Sequence, residues 1–452
     1  MAQMNELANL VKELEEQLVI CIRCGMCQSV CPLFEQTRKE ADVARGKLAL
    51  LSGLMENIFA DPDGVNQRLN KCLLCGSCAA NCPSGVNVLE IFIKARAILA
   101  EYKGLSPVKQ LIFKKMLANP KTFDTLTQWA GRFQNLFIKD QANAQGTSCA
   151  RLVSPLLSHR HILPMAKTPF HKTLTDLSLK GPAQGSVPAT SPTKGLKALF
   201  FTGCLIDKIF PNVAHASVKV LTHHGVALTI PEGQGCCGIP ALASGDRKTF
   251  TRLVDHHLEL FKQEKFDVLI TACATCTSTI KKLWPSIYKN PTSDVKEQLK
   301  QLSEKTMDIN QFLVDRVKPD FAMESSGITE TASKTTGDIV TYHDPCHLKK
   351  SLGVADQPRK IIQAAGKKLV EMEGSDKCCG MGGSFNVYHY EISASIGNLK
   401  QKNIADTGCT TVATGCPACM MQISDMLAKE KRNIKVCHPM ELYAQFLEEN
   451  TQ

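Results

Sequence analysis

The spacing of the cysteines is the feature of this 452-residue sequence that most restricts its fold. Five of the 21 cysteines recur in a second copy 142 or 143 residues later. In both copies 32 residues separate the first cysteine from a vicinal Cys-Cys-Gly. The first copy comprises Cys204, Cys236, Cys237, Cys273 and Cys276, and the second comprises Cys346, Cys378, Cys379, Cys416 and Cys419. Such a long matched spacing indicates a duplicated domain.

Short apolar runs alternate with helical stretches around these cysteines. The runs suited to buried strands are 197–202, 226–230, 266–271, 339–342, 368–372, 410–413 and 434–436. Helical stretches lie near 212–223, 248–262, 357–364 and 392–403. This alternation predicts two α/β lobes with mainly parallel strands. Several of the cysteines directly follow a run, and ligands collect at the carboxyl ends of such strands, so we expect the five thiols of each lobe to converge at one sheet edge.

The N-terminal third carries a different pattern, C-x2-C-x2-C-x3-C-P, twice. Three cysteines in a tight loop and a distant fourth suit a [4Fe–4S] cubane, and in two-cluster ferredoxins the fourth cysteine of each run binds the other cluster. Structural zinc, the alternative for C-x2-C pairs, does not require three cysteines per loop followed by Cys-Pro. We therefore assign cluster one to Cys21, Cys24, Cys27 and Cys82, and cluster two to Cys72, Cys75, Cys78 and Cys31.

Together these patterns predict an α+β multidomain chain. Apolar periodicity predicts helices over 5–19, 44–55 and 88–102, and no strand pattern is evident before about residue 195. We expect a helical two-cluster ferredoxin-type domain at 1–145, a basic connector rich in Pro and Ser at 146–195, a first cysteine-rich lobe at 196–321, a flexible loop at 322–337 and a second cysteine-rich lobe at 338–452.

Composition restricts the location and the partners of the chain. Hydrophobic residues at 44% and charged residues at 21% are ordinary globular values. No apolar run is long enough for a transmembrane helix, and the N-terminus lacks an export signal. We therefore expect a cytoplasmic protein, in which clustered cysteines indicate metal or redox chemistry. The net charge of +10 comes largely from the connector, which we expect to face a partner subunit or the anionic inner surface of the membrane rather than nucleic acid.

The five thiols of each lobe exceed the four that a cubane needs. Either one thiol is spare, or an opened cluster has one thiolate bridging two irons. Zinc bound by four of the five and a bare redox dithiol remain alternatives. Outside the repeat, Cys149, Cys409 and Cys437 are interpreted as structural thiols.

Two histidines flank Cys346. His343 and His347 each suit a hydrogen bond to a cluster sulfur that tunes its potential, although an ordinary loop histidine is an equal alternative.

The motifs together resemble a known family. The CCG pattern resembles the cysteine-rich domain of heterodisulfide reductase catalytic subunits, and a two-cluster ferredoxin domain ahead of two such domains resembles the iron–sulfur subunit of glycolate and D-lactate oxidases. The matching segments are 24–27, 44–50, 82–86 and 343–347. The resemblance implies a noncubane [4Fe–4S] cluster at each complete five-cysteine site. Both sites are complete here, so we expect one or two such clusters, with zinc as the alternative in one lobe.

The resemblance also implies a function. An FAD-containing 2-hydroxy-acid dehydrogenase subunit would supply electrons, and a membrane quinone, a quinone-reactive subunit or another carrier would accept them. This chain has no Gly-rich phosphate loop, so the flavin is expected in another chain. Two rivals stay open: reduction of a disulfide by the lobes themselves, and a ferredoxin module on a zinc-stabilised scaffold. Whether the chain is itself an enzyme, and which residues would be catalytic, stays unassigned.

The duplication carries a geometric expectation as well. We expect the two lobes to pack about a pseudo-two-fold axis, with both cysteine sets near their interface. The ferredoxin-type domain should dock beside one set, and the second lobe is expected to meet the electron acceptor.

Overall fold

The computed structural model describes residues 2–137, 143–149, 160–174, 195–319 and 338–450. The predicted loop at 322–337 lies outside the described residues, as does most of the predicted connector at 146–195. The described part of the connector packs against both lobes: Phe170 is buried against His215 of the first lobe, and the backbone N–H of His161 donates to Asp425 of the second at 2.8 Å.

The N-terminal region is helical, as its apolar periodicity predicts. Its α-helices are Ala2–Val11, Glu15–Leu18, Met26–Ser29, Pro32–Thr37, Ala44–Met55, Pro62–Asn70, Ser77–Ala80, Val88–Lys103, Pro107–Gln110 and Pro120–Phe137. A 3-10 turn at Lys12–Leu14 divides the helix predicted over 5–19, and a π-helical segment spans Leu111–Leu117. Leu7, Leu51 and Ile91 are fully buried where three of these helices meet.

A short antiparallel pair follows, formed by β1 (Ser148–Cys149) and β2 (His161–Ile162). The expectation of no strand before residue 195 was wrong here, because strands of two residues are too short to show an alternating pattern.

The two cysteine-rich lobes have the same sheet. The first contains β3 (Lys197–Phe201), β4 (Ala227–Thr229), β5 (Val268–Thr271) and β6 (Thr306–Asp308), in the order β4-β3-β5-β6. The second contains β7 (Ile339–Tyr342), β8 (Lys368–Leu369), β9 (Thr411–Ala413) and β10 (Lys435–Cys437), in the equivalent order β8-β7-β9-β10. All pairings within both sheets are parallel. The predicted α/β duplication is therefore confirmed, while β6, with polar Thr306 and Asp308, was missed.

Helices cover the faces of both sheets. In the first lobe they are Cys204–Lys208, Pro211–His223, Ile239–Ala243, Arg247–Lys262, Ala274–Ser278, Trp284–Ile287, Ser293–Lys305 and Ile309–Phe312. In the second they are Asp356–Ala364, Ser384–Tyr388, Tyr390–Ala405, Pro417–Lys429 and Pro439–Asn450. A π-helical segment follows the first cysteine of the second lobe, at His347–Ser351.

Two pairs of helices join the lobes, and the roles of the first and second lobe are exchanged between the two pairs. The helix Pro211–His223 packs on Pro439–Asn450, and its counterpart Asp356–Ala364 packs on Ile309–Phe312. Nearer the cysteines, Ala274–Ser278 contacts His347–Ser351. This reciprocal packing is what the expected pseudo-two-fold axis produces.

Across the part of the chain that the structure describes, every helix is too short or too polar to cross a lipid bilayer.

Candidate metal centres

The first ferredoxin-type loop gathers the cysteines assigned to cluster one. A single small cavity is lined by Cys21, Cys24, Cys27 and Cys82, and Cys78 of the second loop also borders it. Gly25, at φ +87°, makes the left-handed turn from which the short helix Met26–Ser29 begins, a conformation that glycine adopts without steric cost. Arg45 holds this loop from outside, because its Nη1 donates to the carbonyl of Arg23 at 3.2 Å while its Nε donates to Glu40 at 2.7 Å.

The second loop gathers the set assigned to cluster two, again with the fourth cysteine from the other run. One cavity is lined by Cys31, Cys72, Cys75 and Cys78. Burial raises the pKa of the Cys31 thiol to about 11. Buried Arg96 lies behind this loop and donates to the carbonyls of Leu69 at 2.6 Å and Cys72 at 2.8 Å. Since Arg96 also donates to Ala243 of the first lobe at 2.7 Å, it ties the loop to that lobe.

The ten predicted thiols of the two lobes open into one shared cavity. Its volume is about 250 Å³, and all ten line it, together with Cys75 of the ferredoxin-type domain. The equivalent cysteines follow equivalent strands, so that parallel sheets bring them to the carboxyl edge as the sequence predicts. Both sets were expected to face inward near the interface of the lobes, and in the structure they border the same cavity.

Neighbouring thiols shift one another's pKa in a continuous series from the first lobe to the ferredoxin-type domain, and one pair in it, Cys379 and Cys419, has its Sγ atoms 3.5 Å apart. The order is Cys204, Cys236, Cys237, Cys276, Cys273, Cys416, Cys419, Cys379, Cys378, Cys346 and Cys75. The lobes meet in this series at Cys273 and Cys416. The ferredoxin-type domain joins it at Cys75, which contacts both Cys346 and Cys378.

Four thiols in the series are poised to ionise. Hydrogen bonds from two neighbouring thiols lower the pKa of each, which favours the thiolate that binds metals. The four are Cys75, Cys237, Cys379 and Cys416. Their hydrogen-bonding neighbours have raised pKa values, as for Cys236 and Cys419.

The donor set fits a thiolate-bound metal centre. Two sulfurs bound to one metal at about 2.3 Å must lie within roughly 4 Å of each other. The Sγ atoms of Cys379 and Cys419 are 3.5 Å apart. Soft thiolates in a buried, largely apolar cavity suit iron–sulfur clusters or zinc rather than hard cations.

His347 connects three domains. Its Nε2 is 3.2 Å from the carbonyl oxygen of Leu74 in the ferredoxin-type domain, and its Nδ1 is 3.1 Å from Thr275 Oγ1 of the first lobe. Thr275 Oγ1 is in turn 3.4 Å from Cys416 Sγ. The expected hydrogen bond from this histidine to a cluster sulfur is therefore replaced by an indirect contact through Thr275.

Two lysines near the second-lobe thiols were missed by sequence reasoning. Half-buried Lys350 donates to Ser77 Oγ at 2.6 Å, and buried Lys400 donates to the carbonyls of Gly374 at 2.5 Å and Ser375 at 3.2 Å. Burial opposes the charge of Lys350, but the nearby Cys346 and Cys75 thiols raise its pKa overall. Lys400 lies in the helix Tyr390–Ala405, and no local motif in the sequence indicates its proximity to the cysteines.

Comparisons with known proteins agree with this architecture. Residues 17–86 match the 4Fe-4S dicluster domain family, and residues 198–281 and 340–424 each match the cysteine-rich domain family CCG. A protein of Bacillus subtilis named as a probable glycolate oxidase iron-sulfur subunit is 26% identical over 447 residues, which cover 96% of this chain and 95% of the relative. Lactate utilization protein A of Oceanobacillus iheyensis is 30% identical over 248 residues, which cover 55% of this chain and 96% of the relative.

The chain belongs to the family of iron–sulfur subunits that combine a 4Fe-4S dicluster domain with CCG domains. A more distant member, one of the subunits of the dihydromethanophenazine:CoB–CoM heterodisulfide reductase of Methanosarcina barkeri, is 25% identical, and the match covers 95% of this chain and 94% of the relative. Membership of the iron–sulfur subunit family confirms the resemblance drawn from the cysteine motifs. It also agrees with electron transfer through [4Fe–4S] clusters and the cysteine-rich lobes.

Proposed function

We propose that this chain is the electron-transfer subunit of a 2-hydroxy-acid oxidoreductase complex, with glycolate or D-lactate as the substrate class. The carrying observation is the single cavity that Cys75 shares with all ten thiols of the two lobes. Bound iron–sulfur clusters supply one-electron transfer. The chain's own part is to hold them close together in a buried cavity.

The proposed ligands follow the observed groupings. Cluster one would be held by Cys21, Cys24, Cys27 and Cys82, and cluster two by Cys31, Cys72, Cys75 and Cys78. The five thiols of each lobe would hold a noncubane [4Fe–4S] cluster, with zinc as the alternative in one lobe. Nine of the ten lobe thiols, all but Cys204, are buried away from water, and the positive charge of Lys350 favours an anionic centre in the second lobe.

The proposed electron donor is an FAD-containing dehydrogenase subunit. Oxidation of a 2-hydroxy acid removes a hydride equivalent, which requires a flavin or nicotinamide rather than a one-electron centre. The names of two relatives, a glycolate oxidase iron-sulfur subunit and a lactate utilization protein, support this substrate class. The acceptor would be a membrane quinone or another carrier, with the chain in the cytoplasm or on the inner face of the membrane.

An anaerobic preparation from the native host tests this proposal. Iron, sulfide and zinc are counted, the co-purifying flavoprotein is identified, and cluster reduction is followed on adding glycolate or D-lactate. We expect reduction only when the flavoprotein is present. Reduction of a dye by glycolate or D-lactate in the presence of the purified, flavin-free chain would contradict the proposal. Failure of these substrates to reduce the clusters of the intact complex would contradict it as well.

A second candidate is disulfide reduction, in which a disulfide takes up two electrons and two protons and becomes two thiols. The shared cavity favours it, because one chamber of about 250 Å³ is bordered by both cysteine sets. The name of the heterodisulfide reductase relative supports it as well. Reoxidation of the reduced chain by an organic disulfide, but not by a quinone, would select this candidate over the first.

A further inference from the structure

His343 is the one flanking histidine that faces lobe thiols directly. Its side chain is fully buried, and its ring lies within 4.8 Å of the Sγ atoms of both Cys379 and Cys419. These two sulfurs are 3.5 Å apart, so the three atoms form a compact group. Small side-chain movements would bring a nitrogen and two thiolates grouped in this way onto a single metal ion.

The hydrogen bonding of His343 identifies which nitrogen is available. Nδ1 is 3.1 Å from the carbonyl oxygen of Ser375, which can only accept, so Nδ1 carries the proton. In the neutral ring Nε2 then has a free lone pair. Nε2 is completely buried, no oxygen or nitrogen of the described residues pairs with it, and the thiol that interacts with the ring is that of Cys379. Without metal a thiol proton satisfies this lone pair, whereas beside ionised thiolates a metal ion does so.

A backbone carbonyl on the far nitrogen is a common feature of metal-bound histidine. It fixes the ring orientation and the tautomer, and it increases the basicity of the coordinating nitrogen. Ser375 holds His343 in this way. The Ser375 carbonyl also accepts from Lys400 at 3.2 Å, which anchors the group further.

The first lobe lacks this arrangement. The residue equivalent to His343, at the same 142-residue offset as Cys204 and Cys346, is Phe201. The buried histidine of the first lobe, His257, has both nitrogens occupied: Gly235 N–H donates to Nε2 at 3.1 Å, and Nδ1 is 2.7 Å from the Leu253 carbonyl oxygen. The two duplicated sites therefore differ in donor chemistry.

We propose that His343 Nε2 is a metal ligand in the second lobe, a nitrogen donor beside its five thiols. This inference rests on the metal loading in the proposed function. A neutral imidazole donor raises the reduction potential of an iron–sulfur centre relative to thiolates alone. The positive charge of Lys350 acts in the same direction. The second-lobe centre is therefore the more easily reduced of the two.

Nitrogen hyperfine spectroscopy tests the ligand directly. The full chain is labelled with 15N-histidine, prepared anaerobically and measured by electron-nuclear double resonance. We expect a strongly coupled nitrogen, which is lost in His343→Phe, a change that copies position 201 of the first lobe. His347→Gln is the matched control, and it should retain the coupling because both His347 nitrogens contact protein oxygens.

Zinc in the second lobe is tested by X-ray absorption at the zinc edge, where we expect a nitrogen scatterer that disappears in His343→Phe. Potentiometry of the iron form should show the second-lobe potential falling in that variant. The proposal is overturned if the second lobe binds no metal. It is also overturned if the wild-type protein shows neither a strongly coupled nitrogen in double resonance nor a nitrogen scatterer at the zinc edge. These readouts need no partner subunit, so failure of substrate-driven reduction would count only against the proposed function.

Discussion

Cys75 and Cys346 belong to different domains, yet their thiols line the same cavity and shift each other's pKa. Cys75 is assigned to cluster two, and Cys346 is the first cysteine of the second lobe. Because the two residues are proposed ligands of different centres, the shared cavity would bring those centres side by side. The ferredoxin-type domain therefore docks on the second lobe at its cysteines, and electrons are expected to enter the lobes there.

The first prediction concerns crosswise ligation. Cys31→Ser is expected to change the cluster held by the second loop, because Cys31 lines the cavity with Cys72, Cys75 and Cys78. Its paramagnetic resonance spectrum should match that of Cys72→Ser and differ from that of Cys24→Ser. Cys82→Ser is the reciprocal control and should match Cys24→Ser. The assignment is wrong if Cys31→Ser resembles Cys24→Ser.

The second prediction concerns the contact between the domains. A Cβ atom at Gly382 would lie 2.7 Å from Leu73 Cδ2, so Gly382→Ala is expected to push the second loop away from the second lobe. We expect a stability loss of about 1–3 kcal/mol from overpacking and slower reduction of the second lobe.

Gly383→Ala is the matched control for this variant. Gly383 also has a positive φ, +59° against +53°, so alanine strains the backbone in both variants, and at Gly383 the ψ of −114° adds to that strain; however, no atom lies within 4 Å of its added Cβ. The reduction rate, rather than the stability, is therefore the quantity that this control calibrates. Thermal unfolding and reduction after a rapid electron pulse compare the two proteins. Equal reduction rates would show that the contact does not control electron transfer.

The third prediction concerns a buried ion pair beside the second cysteine set. Arg359 donates to the fully buried Asp344 carboxylate at 2.8 and 3.0 Å. Arg359→Ala leaves this carboxylate poorly compensated and should cost about 3 kcal/mol. Glu371, the other partner of Arg359, has a side chain that is 49% exposed, so Glu371→Gln should cost less than about 1 kcal/mol. Denaturant unfolding measures both, and similar losses would contradict the prediction.

The fourth prediction is a pH dependence at the lobe interface. Burial lowers the pKa of His224 from 6.5 to about 4, and its Nε2 lies 3.1 Å from the Tyr443 hydroxyl of the other lobe. The unfolded chain therefore binds a proton at a higher pH than the folded chain does. This contribution to stability is complete above pH 6.5 and is lost as the pH falls toward 4, by roughly 2 kcal/mol at pH 5.

His224→Phe keeps an aromatic ring beside Tyr443 but cannot titrate. We expect its melting temperature to fall less than that of the unaltered protein between pH 7 and pH 5. His257, whose pKa is also lowered to about 4, is present in both proteins and cancels from the comparison. Parallel losses in the two proteins would rule out His224 as a source of acid sensitivity.

The sequence by itself determined which residues form the thiol sets and how the chain divides. Cysteine spacing within one loop is local, so the loop backbone dictates the grouping of Cys21, Cys24 and Cys27. The matched 32-residue gaps likewise required two similarly built lobes, and apolar runs of four or more residues located β3, β5 and β7.

Only the tertiary structure decided how these units meet. The contact between Cys75 and Cys346 depends on the docking of a helical domain on a distant lobe, and no local pattern encodes that packing. The same holds for Lys400, which lies more than 20 residues from the cysteine pair that it approaches. The orientation of His343 depends on a carbonyl 32 residues away. The spacing of the cysteines in the sequence thus identifies the candidate ligands. Packing across domains sets the pKa values of these thiols, the charges near them and which thiols are neighbours.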